Sequence, residues 1–131
     1  MNVEVELSKI IINETSDQQI IVLKERNGER AIPIVIGIVE IFAIDRRLKG
    51  IKPPRPMTHD LLGSVIQGLG ATVQKIVIND LKQHTFFAKI YLSLNGKTVE
   101  VDSRPSDAIA LSAAINTPIY VAEHVLDEVS E

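Results

Sequence analysis

Apolar and polar positions alternate from the first residues of the chain. Val3, Val5 and Leu7 are separated by Glu4 and Glu6, the period of two that marks a half-buried strand, and the run extends through Ile10–Ile12. The cluster Asn13-Glu14-Thr15-Ser16-Asp17 predicts a turn. Gln19–Glu25 then reads as a returning strand, and Asn27-Gly28 is a hairpin signal because both residues tolerate a left-handed backbone. Arg30–Ile36 reads as a third strand. Pro33 lacks an amide hydrogen, so this strand is expected at a sheet edge or a bulge.

After Gly37 the period changes. Ile38, Ile41, Phe42 and Leu48 follow helical spacing, with Gly50 as a stop. Lys52-Pro53-Pro54-Arg55-Pro56 predicts an extended, proline-stiffened connector. A second helix is expected from Thr58 to Leu69, with Thr58 as N-cap, Asp60 in the first turn and Gly68 and Gly70 at its end. Ala71–Leu81 and Thr85–Leu94 are two further strands, and Asn95-Gly96 turns into a third, Lys97–Asp102. A helix over Ala108–Ile115, with Pro105 near its start, is followed by a short strand, Pro118–Ala122, and a terminal helix. Strands and helices come in blocks rather than in strict alternation. The expected fold is therefore α+β: one compact domain over residues 1–131, with a mainly antiparallel sheet and three to four helices.

Composition narrows the chemistry. There is no Cys, which excludes thiol catalysis, Cys-ligated zinc and disulfides, and fits a reducing cytoplasm. No apolar run approaches the roughly 20 residues of a membrane span, and no secretory leader is visible, so a soluble cytoplasmic protein is expected. The net charge is −3, so any surface for nucleic acid must be local. One basic stretch stands out: Arg46, Arg47, Lys49, Lys52 and Arg55, opposed only by Asp45. It can track a phosphate backbone, and it can equally be a solvated helix end favoured by the dipole.

Two segments concentrate polar groups at expected helix starts. Arg55-Pro56-Met57-Thr58-His59-Asp60 offers a guanidinium, an imidazole and backbone amides, a combination suited to a phosphate ester. Asp102-Ser103-Arg104-Pro105-Ser106-Asp107 offers paired carboxylates around an Arg. Hard cations such as Mg²⁺ or Mn²⁺ prefer such oxygen ligands. Glu40 and Glu123 can complete a carboxylate cluster if the fold gathers them. For each segment, ordinary helix capping explains the same residues.

These residues also carry a family resemblance. Ile32-Pro33-Ile34-Val35-Ile36-Gly37 with Glu40 and Ala43-Ile44 forms one signature, and Arg55-Pro56-Met57-Thr58-His59-Asp60-Leu61-Leu62 a second. Val101-Asp102-Ser103-Arg104-Pro105-Ser106-Asp107-Ala108 forms a third, followed by Pro118-Ile119-Tyr120-Val121. Together they resemble the bifunctional nuclease domain family along nearly the whole chain. Val35, Ile41, Phe87 and the Gln83-His84 turn depart from its usual pattern. Val35 and Ile41 are expected to alter packing, and Gln83-His84 to loosen a hairpin. The resemblance implies a compact α+β domain, a homodimer, and nuclease activity on DNA and RNA.

Two functions follow. In the first, the chain is a metal-dependent phosphodiesterase. Asp102, Asp107 and Glu40 hold Mg²⁺ or Mn²⁺, His59 and Asp60 serve proton transfer, and Arg55 and Arg104 stabilise the phosphate. Arg46, Arg47, Lys49 and Lys52 bind nucleic acid. In the second, it is a non-catalytic dimeric module for an anionic ligand or a partner protein. The first requires the two Arg-Pro segments to converge in space.

Overall fold

A computed structural model describes residues 1–130. The elements run β1 (Asn2–Ile11), β2 (Gln18–Glu25), β3 (Ala31–Gly37), α1 (Ile38–Leu48), α2 (Thr58–Gly68), β4 (Thr72–Lys82), β5 (Thr85–Leu94), β6 (Lys97–Ser103), α3 (Pro105–Ile115), β7 (Ile119–Ala122) and α4 (Glu123–Ser130). The seven strands form one mixed sheet in the order β3-β2-β1-β7-β4-β5-β6. Two antiparallel meanders, β1–β3 and β4–β6, are joined by β7, which pairs antiparallel with β1 and parallel with β4. The whole is a single compact α+β domain. Pro33 lies on β3, an edge strand, as its missing amide requires.

The alternation along the strands sorts one face into the core. Ile32, Ile34 and Ile36 of β3 stand opposite Leu23, Ile21 and Gln19 of β2, and all six are buried. The same face continues through Val5, Ile119, Ile76 and Ile90. Ile41 and Ile44 of α1 and Ala108, Ile109 and Leu111 of α3 pack onto it. Ile41 is thus a core residue, whereas Val35 points outward and is 57% exposed, so its identity does not alter core packing. With so few aromatics the core is a lattice of branched aliphatic side chains, which have few rotamers to lose.

The hairpin turns differ: Asn27 and Gly28 lie in the connection between β2 and β3, but neither takes the left-handed conformation that the pair tolerates. Asn95 and Gly96 both take positive φ, at 52° and 79°. Gln83 and His84 adopt the same left-handed pair, at 51° and 65°; histidine is among the residues enriched there, glutamine is not. At the other side of the molecule Arg30 ties the β2–β3 hairpin to α4. It donates to Glu25 at 2.6 Å, Glu123 at 2.9 Å and Asp127 at 2.6 Å. Glu123 is therefore committed to this anchor and takes no part in the Glu40 cluster.

Two helix starts differ from the sequence expectation. Met57, not Thr58, is the N-cap of α2, because the Asp60 carboxylate reaches back to accept the Met57 amide at 3.1 Å. The third helix begins at Pro105 rather than Ala108, since proline's fixed φ and missing donor suit the first helical position. Both shifts place a catalysis-capable side chain inside a first turn.

The approach of α2 to α3 is controlled by Gly63, the one buried residue of α2. A methyl group there would stand 2.8 Å from Cγ2 of Ile115 and 3.7 Å from Leu111. Ile115 is β-branched and has little freedom to withdraw. Gly63→Ala gains about 1 kcal/mol of helix propensity but costs roughly 1–3 kcal/mol in overpacking. Chemical denaturation of the variant is expected to give a net loss of roughly 1 kcal/mol; a gain in stability would mean the helices are not in contact at this point.

Candidate functional site

The two Arg-Pro segments converge. His59 is the second residue of α2 and Asp107 the third of α3, 48 positions apart, yet His59 Nε2 lies 3.1 Å from Asp107 Oδ1. The two helices meet with both N-termini at the same end, so their first turns face one another beyond the Gly63 contact. His59 is nearly enclosed, with 11% of its side chain exposed.

Arg104 organises the acidic side of this site. Its Nε donates to Asp107 Oδ2 at 2.9 Å, and its Nη2 donates to Glu40 Oε1 at 3.2 Å. Glu40 is buried at the start of α1, against Gly37. Arg104 itself is 68% exposed, so one guanidinium holds two carboxylates on its inner side and presents the rest of its surface to solvent. The hydrogen bond that Arg104 donates to Asp107 and the Asp107 charge, followed by the charge of Glu40, push the Arg104 guanidinium further up from its ordinary value.

Burial alone would push the Asp107 carboxyl up. The Arg104 and His59 hydrogen bonds and charges outweigh that and hold it below its ordinary value of 3.8. Near neutral pH Asp107 is therefore an ionised acceptor. A neutral His59 must then carry its proton on Nε2, which leaves the Nδ1 lone pair as the base. No hydrogen bond to Nδ1 is formed among the described residues.

The remaining predicted residues are distributed differently. Asp60 faces away from this cluster and accepts from Arg47 in a short ion pair. Its carboxyl is raised by burial but held down on balance by Arg47 and the Met57 amide. Asp60 is thus a capping and anchoring group. Lys49 pairs with Asp45 at 2.9 Å, and Arg46 donates to Met57 Sδ at 3.2 Å. Of the basic stretch, Lys52 and Arg55 are exposed and form no ion pair among the described residues. Asp102 is exposed on β6, at the rim of the groove that contains His59, Arg104 and Asp107. The Arg104–Glu40 and Arg47–Asp60 pairs were not foreseen. The first joins charges from two separate signatures and the second joins the basic stretch to a signature, and only their opposite sign hinted at pairing.

The donors do not fit a ready metal site. Glu40 and Asp107 approach only through Arg104, whose guanidinium occupies the position a cation would take between them. Among the described residues no group of three or more His, Asp or Glu is gathered to hold a metal ion. The positive charge at this centre is supplied by the chain itself.

The bifunctional nuclease domain family model matches residues 21–131, which include every residue of this cluster. The chain belongs to the bifunctional nuclease domain family. An uncharacterized protein of Mycobacterium tuberculosis (strain CDC 1551 / Oshkosh) is 39% identical over 123 residues, covering 94% of this chain and 73% of that protein. "Bifunctional nuclease 1" of Oryza sativa subsp. japonica is 24% identical over 118 residues, covering 87% of this chain and 36% of that protein. "Bifunctional nuclease 2" of the same subspecies is 27% identical over 114 residues, with 84% and 35% covered. The chain thus spans about a third of the length of these plant proteins. Among the described residues, no helix of this bifunctional nuclease domain is long and apolar enough to cross a membrane.

The electrostatics of the cluster predict a defined acid response. Folding lowers the Asp107 pKa, so the ionised group favours the folded state above its ordinary value, and this contribution is lost as pH falls through the folded value. The gap in thermal midpoint between wild type and Asp107→Asn is expected to be full near pH 5 and to close as pH falls below 3.8. Asp60, Glu25 and Asp80, whose carboxyls are also held down, are common to both proteins and pair with other partners, so the difference reports on Asp107 and the groups it contacts. A gap that stays constant down to pH 2 would show that Asp107 is not held by these partners.

Proposed function

We propose that this domain hydrolyses phosphodiester bonds in DNA and RNA, with His59, Asp107 and Arg104 as the working site. The observation that carries this reading is the 3.1 Å contact between His59 and Asp107, which joins both Arg-Pro signatures. Asp107 orients the imidazole, and His59 Nδ1 takes a proton from water. The water oxygen bonds to phosphorus as the bond to the leaving oxygen breaks, and the proton passes on to that leaving oxygen. The outward face of Arg104 stabilises the charge that builds on the phosphoryl oxygens. Glu40 is a positioning residue that fixes Arg104 from behind. Lys52 and Arg55 serve as additional phosphate contacts. Mg²⁺ or Mn²⁺ enters this scheme only if Arg104 swings away and frees Glu40 and Asp107. A reducing cytoplasm suits the cysteine-free chain.

The test is cleavage of single- and double-stranded DNA and of RNA by purified protein, with Mg²⁺, with Mn²⁺ and with chelator. His59→Ala is expected to lower the rate by about 10²–10⁴-fold, and Arg104→Ala by about 10²–10³-fold. Cleavage that survives chelation would favour Arg104 as the source of charge. Loss on chelation would favour a recruited cation. Undiminished cleavage by His59→Ala would remove this assignment.

A homodimer is the second part of the proposal, and a specific surface supports it. Leu61 and Val65 of α2 and Leu69 at its C-cap form an exposed stripe, with Leu69 74% exposed, and Val39 of α1 is 68% exposed. Apolar residues at this spacing on an outer face suit an interface with a second copy. They also fit the alternative of a non-catalytic dimeric module for an anionic ligand or partner protein. Light scattering is expected to give twice the chain mass, and the double variant Leu61→Glu/Leu69→Glu the mass of one chain; a monomeric wild type would discard the dimer.

A further inference from the structure

The inner face of the sheet is left uncovered at its β6 end. Strand pairing sets Ile90 opposite Val101 and Leu92 opposite Val99, so these side chains share the face that elsewhere forms the core. Yet Val101 remains 41% exposed, because α2 stands back from this edge. Between α2 and the β5–β6 pair runs an open groove of about 590 Å³. Leu62, Ile66, Ile90, Leu92 and Val101 line it with aliphatic surface, and one end is formed by His59, Asp107 and Arg104.

We propose that this groove holds the base of an unpaired nucleotide whose phosphate lies against Arg104, so that the site selects single-stranded nucleic acid. The inference rests on the nuclease reading of the same cluster. Three observations carry it. The groove joins the solvent-exposed face of the Arg104 guanidinium, beside the Asp102 and Asp107 carboxylates, to an apolar wall, and an unstacked nucleotide joins an anionic phosphate to an apolar base face in the same way. Its volume falls in the range of small-ligand sites, with room for a nucleoside. In a duplex the base faces are stacked inside, so the aliphatic wall has nothing to touch unless the base is extruded at a cost of a few kcal/mol.

Charge argues the same way. Duplex affinity grows with the number of phosphates neutralised. Here Arg47 and Lys49, two members of the basic stretch, are already paired with Asp60 and Asp45, and the chain is net negative. Few cations remain to follow a double helix. The wall contains no aromatic ring, so base contact is aliphatic and insensitive to base identity.

Fluorescence anisotropy with a labelled, nuclease-resistant phosphorothioate oligonucleotide, alone and annealed to its complement, tests this without any cleavage. The single strand is expected to bind at least tenfold more tightly than the duplex. Leu62→Ser combined with Val101→Thr, both at exposed positions, is expected to weaken single-strand binding about tenfold and leave duplex binding unchanged, while circular dichroism remains that of the wild type. Equal affinity for the two forms would overturn the proposal, as would single-strand binding untouched by the double variant. If the variant instead dissociates a dimer and leaves oligonucleotide binding unchanged, the groove belongs to a second copy of the chain and the proposal is also overturned. His59-dependent cleavage without single-strand preference would overturn this inference and leave the nuclease reading standing. Preference without cleavage would support the groove assignment and count against the nuclease reading alone.

Discussion

The contact between α2 and α3 is the constraint on which the site depends. Gly63 removes the side chain that would hold the helices apart, and Ile115 fills the space it leaves. Four residues before Gly63, one turn of helix, comes His59; eight residues before Ile115 comes Asp107. With the helices starting at the same end, this crossing sets the imidazole against the carboxylate. The sheet makes that contact possible. Its buried face seats α3, and α3 in turn seats both α1 and α2, so Glu40, His59 and Asp107 arrive from three helices at one place.

Charge is arranged there in an alternating series. Glu40, Arg104, Asp107 and His59 follow one another, each in contact with the next. With His59 neutral the series has one more carboxylate than cation; Arg104, set between Glu40 and Asp107, offsets their charge in part, and the imidazole N–H is the second donor to Asp107. The series also leaves two outlets. Arg104 is open to solvent on its outer side, and the Nδ1 lone pair of His59 is not engaged by another residue of the series. An anion that can also give up or receive a proton is the partner such a pair suits. The second ion pair, Arg47 with Asp60, is structural: it fastens the start of α2 to the end of α1 and keeps the imidazole's helix turn in place.

Much of this fold was legible in the sequence because its signals are local. The alternation of Val3, Val5 and Leu7, the turns at Asn27-Gly28 and Asn95-Gly96, the edge role of Pro33 and the helical spacing after Gly37 each depend on neighbours a few residues away. The order of the strands did not follow from such signals. Placing β7 between β1 and β4 requires pairings across more than forty residues, and a short strand such as Ile119–Ala122 carries no mark of its partners. The helix starts were misjudged by one and by three residues, for a common reason. Thr58 and Ala108 look like natural beginnings, but a carboxylate at the third helical position and a proline at the first extend each helix backward. The site itself was half legible. Both segments were recognisable by composition, and their meeting was only a requirement. The grouping of Asp102, Asp107 and Glu40 as ligands followed from their shared charge, whereas in the fold Arg104 lies between two of them and Asp102 stands at the groove rim.

The central claim is that Asp107 fixes His59 as an Nε2–H tautomer with Nδ1 as the base. Nitrogen–proton correlation spectra of the imidazole ring, recorded at a pH where His59 is neutral, read this directly. The account predicts a single Nε2–H tautomer in the wild type and a tautomer mixture in Asp107→Ala, with the rest of the spectrum unchanged. A neutral His59 protonated on Nδ1 in the wild type, or a tautomer indifferent to Asp107, would contradict it.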